Sequence, residues 1–129
     1  MAVQMASRLE EFFEEQTSGA LRSIVKYDHE GMDIVYLRND VAEQYSEAEL
    51  LDAIDESRMQ SLSTSLYERA YSEGHGELEC IVNCFENVVE MNFALEDGIG
   101  AAVALDVEAL DDDDGLVSEA RDIVVEERA

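Results

Sequence analysis

The chain has 129 residues and a mass of 14.4 kDa, enough for one ordinary domain and too little for two full-sized folds with separate cores. Hydrophobic residues make up 47% and proline is absent, which excludes a disordered chain, while 32 acidic against 8 basic residues set the formal net charge at -24. Over a folded surface of roughly 6,800 Å² that is about one net negative charge per 280 Å², which excludes an ordinary basic footprint for duplex DNA or anionic lipid.

Val3, Met5, Ala6, Leu9, Phe12, Phe13 and Gln16 recur at helical spacing, with Glu10, Glu11, Glu14 and Glu15 at other positions, and predict an amphipathic helix over about 3–17. Thr17-Ser18-Gly19 ends it. Leu21 to Asp28 reads as a strand with Val25 and Tyr27 on one face and Arg22 and Lys26 on the other. Asp28-His29-Glu30-Gly31 predicts a hairpin turn into a second strand, Met32 to Arg38, in which Asp33, Val35 and Leu37 alternate with Ile34 and Tyr36, so that both faces are partly buried.

Asn39 to Tyr45 reads as a short irregular link. Ser46 and Glu49 then have the spacing of a capping box, which satisfies free backbone N–H groups at a helix start. A long helix is expected from there, with Leu51, Ile54, Arg58, Leu62, Leu66 and Ala70 as its stripe and Met59, Tyr67 and Tyr71 widening it, until Glu73-Gly74-His75-Gly76 stops it. The serines between Ser57 and Ser65 lower its helix propensity.

Three strands follow in close succession. Leu78, Cys80, Val82 and Cys84 share one face of the first, and Val89, Met91, Phe93 and Leu95 one face of the second, with turns at Glu86-Asn87 and Glu96-Asp97-Gly98. The third, Ile99 to Asp106, is apolar on both faces, and its Gly100, Ala102 and Ala104 admit a closely packed helix, so it belongs in the centre of a sheet. Asp111 to Asp114 form an acidic linker and cap for a closing helix that carries Leu116, Val117, Ala120, Ile123 and Val124 and ends near Arg128.

The expected fold is therefore a single α+β domain with an ordered core over about 3–127, order α-β-β-α-β-β-β-α, and a five-stranded antiparallel sheet flanked by helices. Over that span the order resembles the roadblock / dynein-light-chain group of profilin-like folds. The resemblance implies a homodimer formed through the long helix and a sheet edge, and a scaffold or regulator acting with a regulatory protein or small GTPase. Only topology transfers, because no partner-binding signature of that group is present.

Like charges repel over about 10 Å at 0.1 M salt and about 3 Å at 1 M, so so acidic a surface is better tolerated in brine. Lys26 is the only lysine, against seven arginines. This usage resembles proteins of extremely halophilic archaea, and the segments Leu21 to Leu37 and Leu78 to Leu105 resemble a small haloarchaeal family, which implies the host and no activity. No apolar run approaches the roughly 20 residues of a membrane span, and the N-terminus lacks the features of a signal peptide, so a cytoplasmic location away from membranes is expected.

Residues four apart on a strand lie about 13 Å from each other, so Cys80 and Cys84 cannot share a zinc with His75, and both are expected as buried, inert thiols. His29 and His75 fall in turns with no pattern of a general base, and Gly98 and Gly100 lack the Lys-Ser/Thr and helix of a phosphate loop. No catalytic residue, metal site or cofactor is assigned, and the chain is read as a non-enzymatic interaction or regulatory module. Its candidate interface is Tyr67, Tyr71, Met59 and Arg58. Arg22, Lys26 and Arg38 form a candidate patch for an anion or acidic partner, with pairing to local carboxylates as the alternative. Two other functions stay open: a small-ligand sensor with a pocket between Phe93, Met91 and the helix faces, and an acidic mimic of nucleic acid that binds basic proteins.

Overall fold

The computed structural model describes residues 2–17, 19–62, 74–75, 78–96, 98–109 and 116–128. In chain order the elements are α1 (Ala2–Thr17), β1 (Leu21–Asp28), β2 (Gly31–Leu37), α2 (Asn39–Gln44), α3 (Glu47–Leu62), β3 (Cys80–Cys84), β4 (Val88–Glu96), β5 (Ile99–Asp106) and α4 (Leu116–Arg128). All five strands join one antiparallel sheet in the order β2-β1-β5-β4-β3.

β5 sits in the middle, as its two apolar faces require. On one side it aligns Ala102 with Val25 of β1, and on the other Met91 of β4 with Val103. Its face of Ala101, Val103 and Leu105 joins Ile24 of β1 and Val89, Met91 and Phe93 of β4 in the main core, which α1 closes with Met5, Ala6, Leu9 and Phe13 and α4 with Ala120 and Val124. Each fully buried side chain of this size contributes about 1.5–3 kcal/mol, so the α1/α4 face holds most of the stability.

The opposite face, toward α3, is thinner: Val25 and Tyr27 are buried, and Met32, Ile34 and Leu50 pack partly against them. Here the Tyr27 hydroxyl donates to the Asn92 side-chain oxygen, pairing two buried polar groups. Gly100 is required beside them. A Cβ at that position would lie 2.3 Å from the Phe93 carbonyl oxygen and 2.7 Å from the Tyr27 hydroxyl.

Three local expectations change. Asn39–Gln44 is a helix rather than an irregular link, and Tyr45 N–H closes it on the Val41 carbonyl at 3.1 Å, with Val41 buried. In β2 the alternation breaks, because Ile24 faces Tyr36 while Val25 faces Ile34, which leaves Val35 as a bulge. Ile34 and Tyr36 therefore pack on opposite faces of the sheet. The first strand after the long helix begins at Cys80 rather than Leu78.

The capping box forms as expected: Ser46 N–H donates to Glu49 Oε1 at 3.2 Å and Glu49 N–H to Ser46 Oγ at 3.1 Å. The hairpin turn forms as well, with the Asp28 carboxylate accepting from the N–H groups of Glu30 and Gly31 at 2.8 and 3.1 Å. Tyr67 and Tyr71, the serines beyond Leu62 and the run Asp111 to Asp114 lie outside the described residues.

Candidate interaction surface

The sheet has two outer strands and they differ in chemistry. β2 carries Asp33, pairs it with Lys26 of β1 at 2.9 Å, and contains the bulge; charges and bulges are what keep an edge from pairing with another chain. β3 has the sequence Cys-Ile-Val-Asn-Cys, with no charge, no proline and regular pairing to β4 from Cys80↔Phe93 to Cys84↔Val89.

Cys80, Val82 and Cys84 share one face, as expected, and register makes it the α1/α4 face, but only the start of the strand is covered. Arg121 of α4 bonds Glu79 at 3.1 Å, which sets the helix over that end, and Cys80 packs partly against the main core. Val82 is 41% exposed and Cys84 is exposed. The expectation of two buried thiols is thus corrected: Cys80 is only half-buried, and Cys84, beyond the cover of α4, is exposed. Burial pushes the Cys80 thiol up to about 12, with the Glu79 charge adding to it, so Cys80 is a poor nucleophile.

Phe85, the next residue, is 57% exposed and turns to the other face of the sheet. It stands at the mouth of a groove of about 630 Å³ between the α2–α3 corner and the β3–β4 turn. Ala104, Val88 and Glu90 form its floor, Tyr45 and Leu50 one wall, and Phe85 and Glu86 the other. Phe85 thus stands between the β3 edge and the groove, whose lining also includes Arg22, Glu49, Glu86 and Glu90. Sequence periodicity could not locate the groove, since its walls come from segments about forty residues apart. Phe93 and Met91, expected to line a pocket, are fully buried in the main core on the opposite face.

Of the candidate interface residues, Met59 is 62% exposed on α3, and Arg58 lies on the same helix. The three candidate cations are each met by a carboxylate. Arg38 Nη1 and Nη2 donate to Asp106 at 2.7 and 3.0 Å, its Nε to Asp40 at 2.6 Å, and Nη1 also to the Gly19 carbonyl at 2.8 Å. Arg22 reaches the same Asp106 at 3.2 Å. The hydrogen bonds from Arg38, reinforced by Arg22, hold the Asp106 carboxyl below the usual carboxylate range, and in turn Asp106 and Asp40 raise Arg38. The geometry is that of a structural clamp joining β1, the end of β2, the end of β5, the turn after α1 and the start of α2. His29 lies in the hairpin turn as expected, whereas Gly74 and His75 are helical rather than a turn; both histidines are exposed, and among the described residues no three His, Cys, Asp or Glu side chains gather to hold a metal ion. No described helix is long and apolar enough to cross a membrane.

Sheet order, helix placement and strand direction together define a roadblock-like α+β domain. A solved structure described as MglB with tetrameric arrangement superposes with a TM-score of 0.55 at 14% identity, covering 97% of this chain and 93% of that one. The chain belongs to the DUF7522 family, a domain of unknown function, which it matches over residues 7–125. No curated protein matches it.

Proposed function

We propose that this protein is a non-enzymatic interaction module that forms a homodimer through the β3 edge, with the exposed side of α3 contributing, and presents the adjoining groove to a regulatory partner such as a small GTPase. The observation that carries the reading is β3 itself. In a chain where 31% of residues are charged, β3 is the described edge strand that carries no charge from end to end, and it also exposes Val82 and leads into exposed Phe85. Such an edge is a template for pairing with another strand, and a strand added there gains main-chain hydrogen bonds. The tetrameric arrangement named for the MglB structure supports assembly as the use of this fold.

The acidic surface fits a cytoplasm rich in potassium chloride. Exposed carboxylates occur on all three long helices, among them Glu11 and Glu14, Asp52 and Asp55, and Glu119 and Glu126, which supports salt adaptation over a mimic with one phosphate-like face. Light scattering in multimolar potassium chloride tests the assembly. The expected mass is that of two chains or a multiple, and a single-chain mass across micromolar concentrations would overturn the reading. The groove supports a second reading, a small-ligand sensor, because about 630 Å³ falls within the range of ligand pockets. A small molecule retained by the protein after purification would favour it.

A further inference from the structure

The edge strand is close to a palindrome, and that constrains how two copies meet. Resting on the edge-pairing reading above, we infer that β3 pairs antiparallel with β3 of a second copy about a two-fold axis at Val82, so that Cys80 of each chain lies opposite Cys84 of the other and the two pairs can be oxidised to intermolecular disulfides.

Directly opposed residues on antiparallel strands point to the same face, so a two-fold between identical strands must pass beside a residue that faces its own copy. An axis at Val82 is the only choice that uses all five residues of Cys80–Cys84. It sets Val82 against Val82 and Cys80 against Cys84 on the α1/α4 face, and Ile81 against Asn83 on the α3 face. An axis at Ile81 would bring in Glu79, which is held by Arg121, and shorten the overlap. Electrostatics favours the same strip: two chains of net charge -24 approach at least cost where neither carries a carboxylate.

Directly opposed residues have Cα atoms about 4.5–5.5 Å apart, within the range a disulfide spans. Within one chain Cys80 and Cys84 stand about 13 Å apart on an extended strand and cannot be joined. The accessible Cys84 thiolate reacts first. With an exogenous small disulfide as oxidant, Cys84 sulfur attacks one of its sulfurs, forming a mixed disulfide and releasing one small thiol. Cys80 of the second chain, too weak a nucleophile to react first but held against the mixed disulfide by the strand pairing, then gives up its proton and displaces the other small thiol, forming the interchain bond. Two protein thiols are oxidised and one small disulfide is reduced to two thiols.

The test treats the reduced full-length chain in multimolar potassium chloride with diamide, which takes up two hydrogens per disulfide made, and compares wild type, Cys80→Ser, Cys84→Ser and an equal mixture of the two variants. The axis predicts dimers on a non-reducing gel for wild type and for the mixture, and none for either variant alone. Peptide mapping of a mixture of isotopically light and heavy wild-type chains gives the linkage without any variant, and a Cys80–Cys84 peptide joining light to heavy is expected. A Cys84–Cys84 bond, or crosslinking of Cys80→Ser alone, would overturn the register. Light scattering on the same samples separates the two claims: a dimer without the Cys80–Cys84 bond sinks the register alone, and a monomer sinks the edge pairing with it.

Discussion

Arg38 grips Asp106 with two nitrogens, Nη1 on Oδ2 at 2.7 Å and Nη2 on Oδ1 at 3.0 Å, across a sequence separation of 68 residues. The pair fastens the end of edge strand β2 to the end of central strand β5, and through the Gly19 carbonyl to the turn that ends α1. Charge-assisted, two-pronged hydrogen bonds of this kind are worth more than neutral ones. Arg38→Ala should therefore lower unfolding free energy by about 2 kcal/mol, whereas Lys26→Ala, whose partner Asp33 is largely in solvent, should cost below about 1 kcal/mol. Chemical denaturation of the two variants side by side decides the order; equal losses would show that the clamp is no stronger than a surface pair.

The same clamp predicts an acid dependence. Asp106 has its folded-state value below the ordinary 3.8, chiefly through the Arg38 hydrogen bonds, so its contribution is fully present above the unfolded value and is lost as pH falls through the depressed folded value. Many carboxylates titrate in that window, so the useful quantity is a difference. The stability gap between wild type and Asp106→Asn should be constant at neutral pH and close as pH drops below about 4. A gap that stays open down to pH 2 would mean that charge on Asp106 is not what the clamp uses.

Gly100 marks a close approach within the sheet. Its absent side chain leaves room for the Phe93 carbonyl and the Tyr27 ring, and the former is backbone that cannot swing aside. Gly100→Ala should cost about 3 kcal/mol or prevent folding. Tyr27→Phe, which deletes the hydroxyl bonded to Asn92, should cost about 1–2 kcal/mol and should not rescue Gly100→Ala, because the closer obstruction remains. Recovery of the double variant to the stability of Tyr27→Phe would place the obstruction at the hydroxyl instead.

These residues also show what the sequence could and could not disclose. Small residues alternating with branched ones marked Ile99 to Asp106 as the central strand, and Ser46 with Glu49 marked a helix start, because both signals are local. The Val35 bulge was hidden, since a strand written in strict alternation gives no sign that one residue lacks a partner across the ladder. Alternation puts Cys84 on the face of Cys80 and Val82 but says nothing of its exposure, which depends on how far α4 reaches along β3. The Arg38–Asp106 clamp and the groove join distant segments, and among so many carboxylates no spacing could single out Asp106.

Salt should govern stability as well as solubility. Exposed carboxylates on α1, α3 and α4 repel one another over about 10 Å at 0.1 M salt and about 3 Å at 1 M. The melting temperature should rise steadily with potassium chloride, and partial unfolding is expected near 0.1 M. A melting temperature independent of salt would remove the case for a brine-adapted surface.

Val82 offers the separation of assembly from folding. At 41% exposure it contributes little to the core, so Val82→Glu should change the stability of the isolated chain by no more than about 1 kcal/mol. In the paired edge it faces its own copy, and the substitution sets two carboxylates against each other about 5 Å apart, where they must either lose hydration or repel. Concentrated salt screens the repulsion but does not restore the lost apolar contact, so the variant should be monomeric even in multimolar potassium chloride. Val82→Thr keeps the branched shape without charge and should retain most of the dimer. Sedimentation of both variants, read beside their melting curves, makes the comparison; a folded Val82→Glu that still runs as a dimer would move the interface away from β3 and toward the exposed side of α3.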